Sequence, residues 1–122
     1  MPKRVRVLIC GDRNWTDWAT ILSIVMGFRP GTVVIEGEAR GADRITRRCA
    51  EACGLEVEGC PADWHRFGPA AGPIRNTHML QFLKPDFGIA FHTNLSASKG
   101  TADMVRKLQR AGKPVILVGK TR

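Results

Sequence analysis

The sequence predicts an α/β fold, a Rossmann-like three-layer sandwich with a mostly parallel sheet of about five strands, in one domain over residues 1–122. Three observations predict it. Five short runs, apolar and rich in β-branched residues, punctuate the chain: residues 5–10 (VRVLIC), 32–37 (TVVIEG), 55–60 (LEVEGC), 87–92 (FGIAFH) and 114–119 (PVILVG). Between them, apolar residues recur at three and four, the helical period. Helix and strand thus alternate, which implies right-handed crossovers and a parallel sheet covered on both faces.

The first strand runs into CGDRNWTDW, where Gly11 permits a tight turn, Arg13 supplies a forked cation, and Thr16 or Asp17 can cap the next helix. That helix, DWATILSIVMGF, places Trp18, Ile21, Leu22, Val25 and Met26 on one broad face. The second strand enters EGEARGAD, with Gly37 and Gly41 flanking Arg40 before a helix whose first amides can receive an anion. In this second helix Ile45, Cys49, Ala52 and Cys53 face inward, and Gly54 is a natural stop. The third strand leads into DWHRFGPAAGPIRN, residues 63–76, read as irregular for most of its length. Trp64 and Phe67 there can stack on a base, Gly68 and Gly72 let the backbone come close, and Pro73 suits the first turn of a helix carrying Arg75, Asn76 and Met79. A packed lid, with Trp64 filling the core, is the competing reading. After the fourth strand, Lys99, Gly100 and Thr101 open a helix with Met104, Val105, Leu108 and Ala111 inward, ended by Gly112 and Pro114. In such folds ligands bind beyond the carboxyl ends of the strands, where these loops fall, so three helix N-termini are expected to converge on one crevice.

Composition bounds the function. The chain is 43% hydrophobic and 25% charged, typical of a soluble globular protein, and its apolar runs are too short to span a bilayer. Without a secretory pattern at its start, a cytoplasmic location is expected. Cys10, Cys49, Cys53 and Cys60 lack zinc spacing, so free buried thiols are expected and no metal. The dinucleotide pattern is absent after the first strand, and the terminal GKTR lacks the upstream glycine of a P-loop, so no cofactor is expected. A net charge of +8 points to a polyanionic partner, either nucleic acid or the phosphates of a smaller ligand. Part of it is a helical series, Arg40, Arg44, Arg47 and Arg48, which also fits the solvated face of an amphipathic helix.

GDRNWTD, EGEARGAD, PADWHRFGPAAGPIRNTHML and SKGTADMV, in this order, resemble the YspA-type branch of the SLOG superfamily, whose members include the LOG phosphoribohydrolases and DNA-processing protein A. Many phages and bacteria carry such domains as small stand-alone proteins. The resemblance implies a nucleotide or nucleotide-derived ligand at the glycine loops, in a homodimer that can use a helix face such as Leu80, Phe82 and Leu83. Its motif positions fall on Gly11, Arg13, Trp15 and Asp17; on Gly37, Arg40, Gly41 and Asp43; on Asp63, Trp64, Gly72, Arg75 and Asn76; and on Gly100, Thr101 and Asp103. With Lys99 these make the candidate ligand site.

Three departures stand out. Glu38 occupies a position where a second glycine is common, and the fourth loop is extended, NLSASKGT in place of a compact turn. LOG enzymes carry a catalytic Glu three residues after the Thr of their Gly-Thr motif; here Met104 stands there, with Asp103 one residue earlier. Glycosidic cleavage needs a carboxylate to steady an oxocarbenium-like centre or activate water, which Asp103, Asp43 or Asp63 can supply. Asp103 also fits a plain helix-start carboxylate. The expected function is therefore nucleotide binding, as sensor or sequestering module. An N-glycosidic hydrolase with Asp103 and Asp43 as catalytic carboxylates is the alternative, and single-stranded DNA binding a second.

Overall fold

The computed structural model describes residues 3–94 and 98–119, so residues 95–97 of the extended fourth loop and 120–122 of GKTR lie outside the described residues. In chain order the elements are β1 (Arg6–Gly11), α1 (Trp18–Met26), β2 (Val33–Glu36), α2 (Ala42–Ala52), β3 (Glu56–Gly59), α3 (Trp64–Phe67), a 3₁₀ turn (Gly68–Ala70), α4 (Ala71–Phe82), β4 (Phe87–His92), α5 (Lys99–Arg110) and β5 (Val115–Gly119). The strands form one parallel sheet in the order β3-β2-β1-β4-β5, with Leu8 level with Ile35 on one side and Gly88 on the other. The chain leaves β1 toward β2 and β3, then returns past β1 to β4. The order therefore reverses between β1 and β4, and a crevice opens at their carboxyl ends.

The central strands are apolar along most of their length because both their faces are covered. Val7, Ile9, Val34, Ile89 and Phe91 pack under Ile21 and Val25 of α1 and Ile45 and Cys49 of α2. Leu8, Cys10, Ile35 and Ala90 pack on the opposite face under Met79 of α4 and Met104, Val105 and Leu108 of α5. This is the predicted sandwich.

Some local readings change. The broad face expected of α1 is only partly used: Ile21 and Val25 are buried, whereas Trp18, Leu22 and Met26 continue it past the packed surface and stay exposed. On α2 the inward stripe ends at Cys49 and Ala50, and Ala52 and Cys53 are exposed where the helix stops. The stretch read as irregular is mostly helical, since α3, the 3₁₀ turn and α4 follow one another from Trp64. Asp63 caps α3, its Oδ1 accepting from the Arg66 N–H at 3.0 Å.

Candidate ligand cavity at the switch point

At the carboxyl ends of β1 and β4 lies a cavity of about 510 Å³, within the span of about 300–1,000 Å³ usual for small-molecule sites. Four segments build it: the loop after β1, the loop between β2 and α2, the stretch from Trp64 into α4, and the start of α5.

The loop after β1 is pinned from below. The Asp12 N–H donates to the Phe91 carbonyl at 2.8 Å, and the Asp12 carbonyl accepts from Trp15 and Ala42, both at 3.1 Å. Gly11 is packed so closely that a Cβ on it would stand 2.5 Å from the Phe91 carbonyl oxygen. The Thr93 hydroxyl donates to Asp12 Oδ2 at 2.6 Å and holds this carboxyl below its usual range. Arg13 reaches over the Trp64 ring, its guanidinium carbon 5.2 Å from the centroid.

The β2–α2 loop is braced from inside by Asp43, which is 5% exposed. Its Oδ2 accepts from the Gly37 and Ala39 N–H groups, each at 3.2 Å, while Oδ1 is buried without a partner among the described residues. Burial pushes its carboxyl up to about 7, and the nearby Glu36 charge adds to this against the two amides and Arg75. Glu36 itself is fully buried, takes Arg47 at 3.2 Å, and is also raised by burial. Glu38 adopts a left-handed backbone, φ 57°, which is the conformation a glycine there would take without strain.

Arg75 and Asn76 lace the loops together. Arg75 Nη1 donates to the Gly37 carbonyl at 2.6 Å and Nε to Asn76 Oδ1 at 2.9 Å; Asn76 Nδ2 donates to the Gly100 carbonyl at 3.1 Å and to Asp103 Oδ2 at 3.0 Å. Lys107 closes the chain, donating to Asp103 Oδ2 at 2.7 Å and to the Pro73 carbonyl at 2.8 Å. This network explains Gly37, where a Cβ would stand 2.5 Å from Arg75 Nη1. Arg75 Nη2 makes no hydrogen bond among the described residues and sits on a side chain that lines the cavity.

Of the three N-termini expected at the crevice, two open on the cavity without a side-chain cap, those of α2 and α5. Gly41 begins α2 with no side chain to offer, and at α5 Ser98 donates to Thr101 Oγ1 at 2.8 Å rather than accepting from the helix amides. The third expected N-terminus is closed: Asp17 caps α1, accepting from the Thr20 N–H at 3.1 Å and the Thr20 hydroxyl at 2.6 Å.

Of the residues expected from sequence, Gly11, Arg13, Arg40, Asp43, Trp64, Gly72, Arg75, Asn76, Lys99, Gly100 and Thr101 line the cavity. Gly37, Gly41 and Asp63 do not line it. Trp15 does not reach it: the indole is 2% exposed, tilted against Phe91 at 5.5 Å, and its Nε1 donates to the Asp17 carbonyl at 2.9 Å. Asp103 also stands outside the lining, its Oδ2 taken by Asn76 and Lys107, and Met104 is fully buried. Asp12, Asn14 and Ser98 line the cavity too, although the sequence gives no chemical reason to choose them; their one signal is that each adjoins a candidate residue, Gly11, Arg13 or Lys99. Among the described residues, no three His, Cys, Asp or Glu side chains gather closely enough to hold a metal ion, and no helix is long and apolar enough to cross a membrane.

Residues 5–67 match the model of the YspA, cpYpsA-related SLOG family. The chain is 40% identical over 123 residues to the Gene 61 protein of Mycobacterium phage D29, covering 93% of this chain and 96% of that one. Its fold is similar to DNA processing protein A (DprA) from Streptococcus pneumoniae in an X-ray structure, with a TM-score of 0.79 at 15% identity, covering 97% of this chain and 51% of that one. The chain thus spans about half the length of that protein.

Proposed function

We propose, for a chain that belongs to the YspA, cpYpsA-related SLOG family, that the cavity binds a nucleotide or nucleotide-derived ligand and that binding is its function. The observation that carries this is the convergence of two helix N-termini without side-chain caps, those of α2 and α5, on one cavity also lined by Arg13, Arg40, Arg75 and Lys99. Helix amides and forked cations together suit phosphate oxygens. Trp64, 47% exposed and already under the Arg13 guanidinium, offers its face to a base at the rim.

Binding without turnover is favoured by the carboxylates. Asp103, nearest in sequence to the position of the LOG glutamate, is held by Asn76 and Lys107 and does not line the cavity. Hydrolysis of an N-glycosidic bond is the second reading, and Asp43 is what favours it: a cavity carboxyl raised to about 7 is suited to exchange a proton at neutral pH.

The test is thermal stability against nucleoside mono-, di- and triphosphates, ADP-ribose, NAD and cyclic dinucleotides, repeated with Arg75→Ala, with chromatography for released base. A stabilisation by one ligand class that Arg75→Ala abolishes, with the ligand recovered intact, is the expected result. Release of free base would establish the hydrolase reading, and no shift with any ligand would overturn both.

A further inference from the structure

The cations of this chain are unevenly paired. Lys3, Arg4, Arg6, Arg47 and Lys107 each meet a carboxylate within 4 Å, using Asp86, Glu56, Glu58, Glu36 and Asp103. Among the cations that meet none in the described residues are Arg40, Arg44 and Arg48. All three are exposed and, among the described residues, make no hydrogen bond or ion pair. Arg44 and Arg48 stand one helix turn apart on the exposed side of α2, about 6 Å, and Arg40 precedes this stripe, outside the helix, across the Gly41 turn at φ 76°.

Their placement works against local stability. Arg40 precedes α2 and Arg44 lies in its first turn, at the positive end of the helix dipole, where cations are disfavoured. The one acidic residue of that turn, Asp43, is buried and faces inward. Arg44 and Arg48, with Arg47 and Glu51, also line a second concavity of about 500 Å³. Arg40 lines the first cavity, so the three arginines are shared between the two, Arg40 in one and Arg44 and Arg48 in the other.

We infer that the ligand extends beyond one nucleotide: the α2 stripe is the track for successive phosphates of a single-stranded oligonucleotide whose terminal nucleotide occupies the first cavity. The inference rests on the nucleotide reading of that cavity. A single strand offers what this surface lacks, a regular series of phosphates at a spacing close to one helix turn, and its unpaired terminal base is free to stack on Trp64 beside Arg13. An acidic protein segment would satisfy the arginines and leave the exposed indole unused.

The experiment compares terminally phosphorylated oligothymidylate, by fluorescence anisotropy across a salt series, with thymidine monophosphate, by thermal shift, in the native chain and in an Arg44→Gln/Arg48→Gln variant. Both positions are exposed, and a melting temperature without ligand no lower than that of the native chain verifies the fold. The expected result is that the oligonucleotide binds tighter than the mononucleotide. The variant should then lower the log–log salt slope by about 1.4, at about 0.7 for each phosphate that is no longer neutralised, and leave the mononucleotide shift unchanged. Equal affinity for the two ligands, or an unchanged slope in the variant, overturns the track while a retained mononucleotide shift keeps the cavity reading. Failure to bind either ligand overturns both.

Discussion

Asp43→Asn is expected to flatten the pH dependence of stability and to make the protein more stable than the native chain above neutrality. In the folded protein the carboxyl is raised from its ordinary 3.8 to about 7, chiefly by burial. At low pH both folded and unfolded chains hold the proton and the group is neutral. As pH rises past 3.8 the unfolded chain releases its proton while the folded one retains it, so stability falls until about pH 7 and then levels. At about 1.36 kcal/mol per pH unit, the displacement sets a ceiling of roughly 4 kcal/mol on this loss. The amide is close to isosteric. Its oxygen can take the place of Oδ2 under the Gly37 and Ala39 N–H groups, and its NH₂ the place of the unpartnered Oδ1. Glu36 is raised in the same direction, so the difference between native and variant, rather than either curve alone, isolates Asp43. Urea unfolding at a series of pH values from 4 to 8.5 measures it. The two chains should agree near the acid end and diverge, variant uppermost, toward pH 8. A variant curve parallel to the native one would refute the assignment of a raised carboxyl to Asp43.

Three further outcomes are expected. Trp64→Ala should weaken nucleotide binding by about 1–3 kcal/mol, the usual worth of a base stacked on an aromatic ring, while the melting temperature barely moves because the indole is 47% exposed; titration calorimetry beside a thermal melt separates the two effects. Gly11→Ala should destabilise the fold by about 1–3 kcal/mol through overpacking, since the new methyl would stand 2.5 Å from the Phe91 carbonyl oxygen and 2.6 Å from Ala42 Cβ; an unchanged urea midpoint would contradict the packing at the β1 terminus. Glu38→Gly should raise stability by up to about 1 kcal/mol, because the left-handed backbone at φ 57° strains a side chain more than a glycine; a lowered midpoint would show that the 3.9 Å approach of Glu38 to Arg47 outweighs the strain.

What could be read from sequence, and what could not, follows from where polar side chains are buried. The central strands were legible because burial on both faces makes them predominantly apolar. Helix α4 was harder. Its buried face carries Arg75 and Asn76 beside Gly72 and Met79, while Ile74 and Phe82 are exposed, so its apolar residues mark no single stripe. Polar residues lie inside because that face meets the carbonyls of Gly37 and Gly100, which need donors. Trp15 shows the opposite error. The family resemblance puts it in the candidate ligand site, and nothing in its neighbours signals that Asp17 supplies an inward carbonyl for its N–H. The departure at Glu38 was visible as a missing glycine, and the positive φ shows which property the glycine would supply.

The EGEARGAD motif divides into residues that hold the loop and a residue that remains free. Asp43 fixes the amides of Gly37 and Ala39, Arg75 fixes the Gly37 carbonyl, and Gly41 turns the chain into α2 at φ 76°. Arg40 is exposed, lines the cavity and, among the described residues, makes no hydrogen bond or ion pair. Loss of binding on changing Gly37, Gly41 or Asp43 is therefore expected from a displaced loop, whether or not the altered side chain meets the ligand. Arg75 is intermediate, since Nη1 and Nε are structural and only Nη2 makes no hydrogen bond among the described residues. Arg40 and Trp64, whose removal leaves this bracing intact, are the side chains whose substitution reports directly on the ligand.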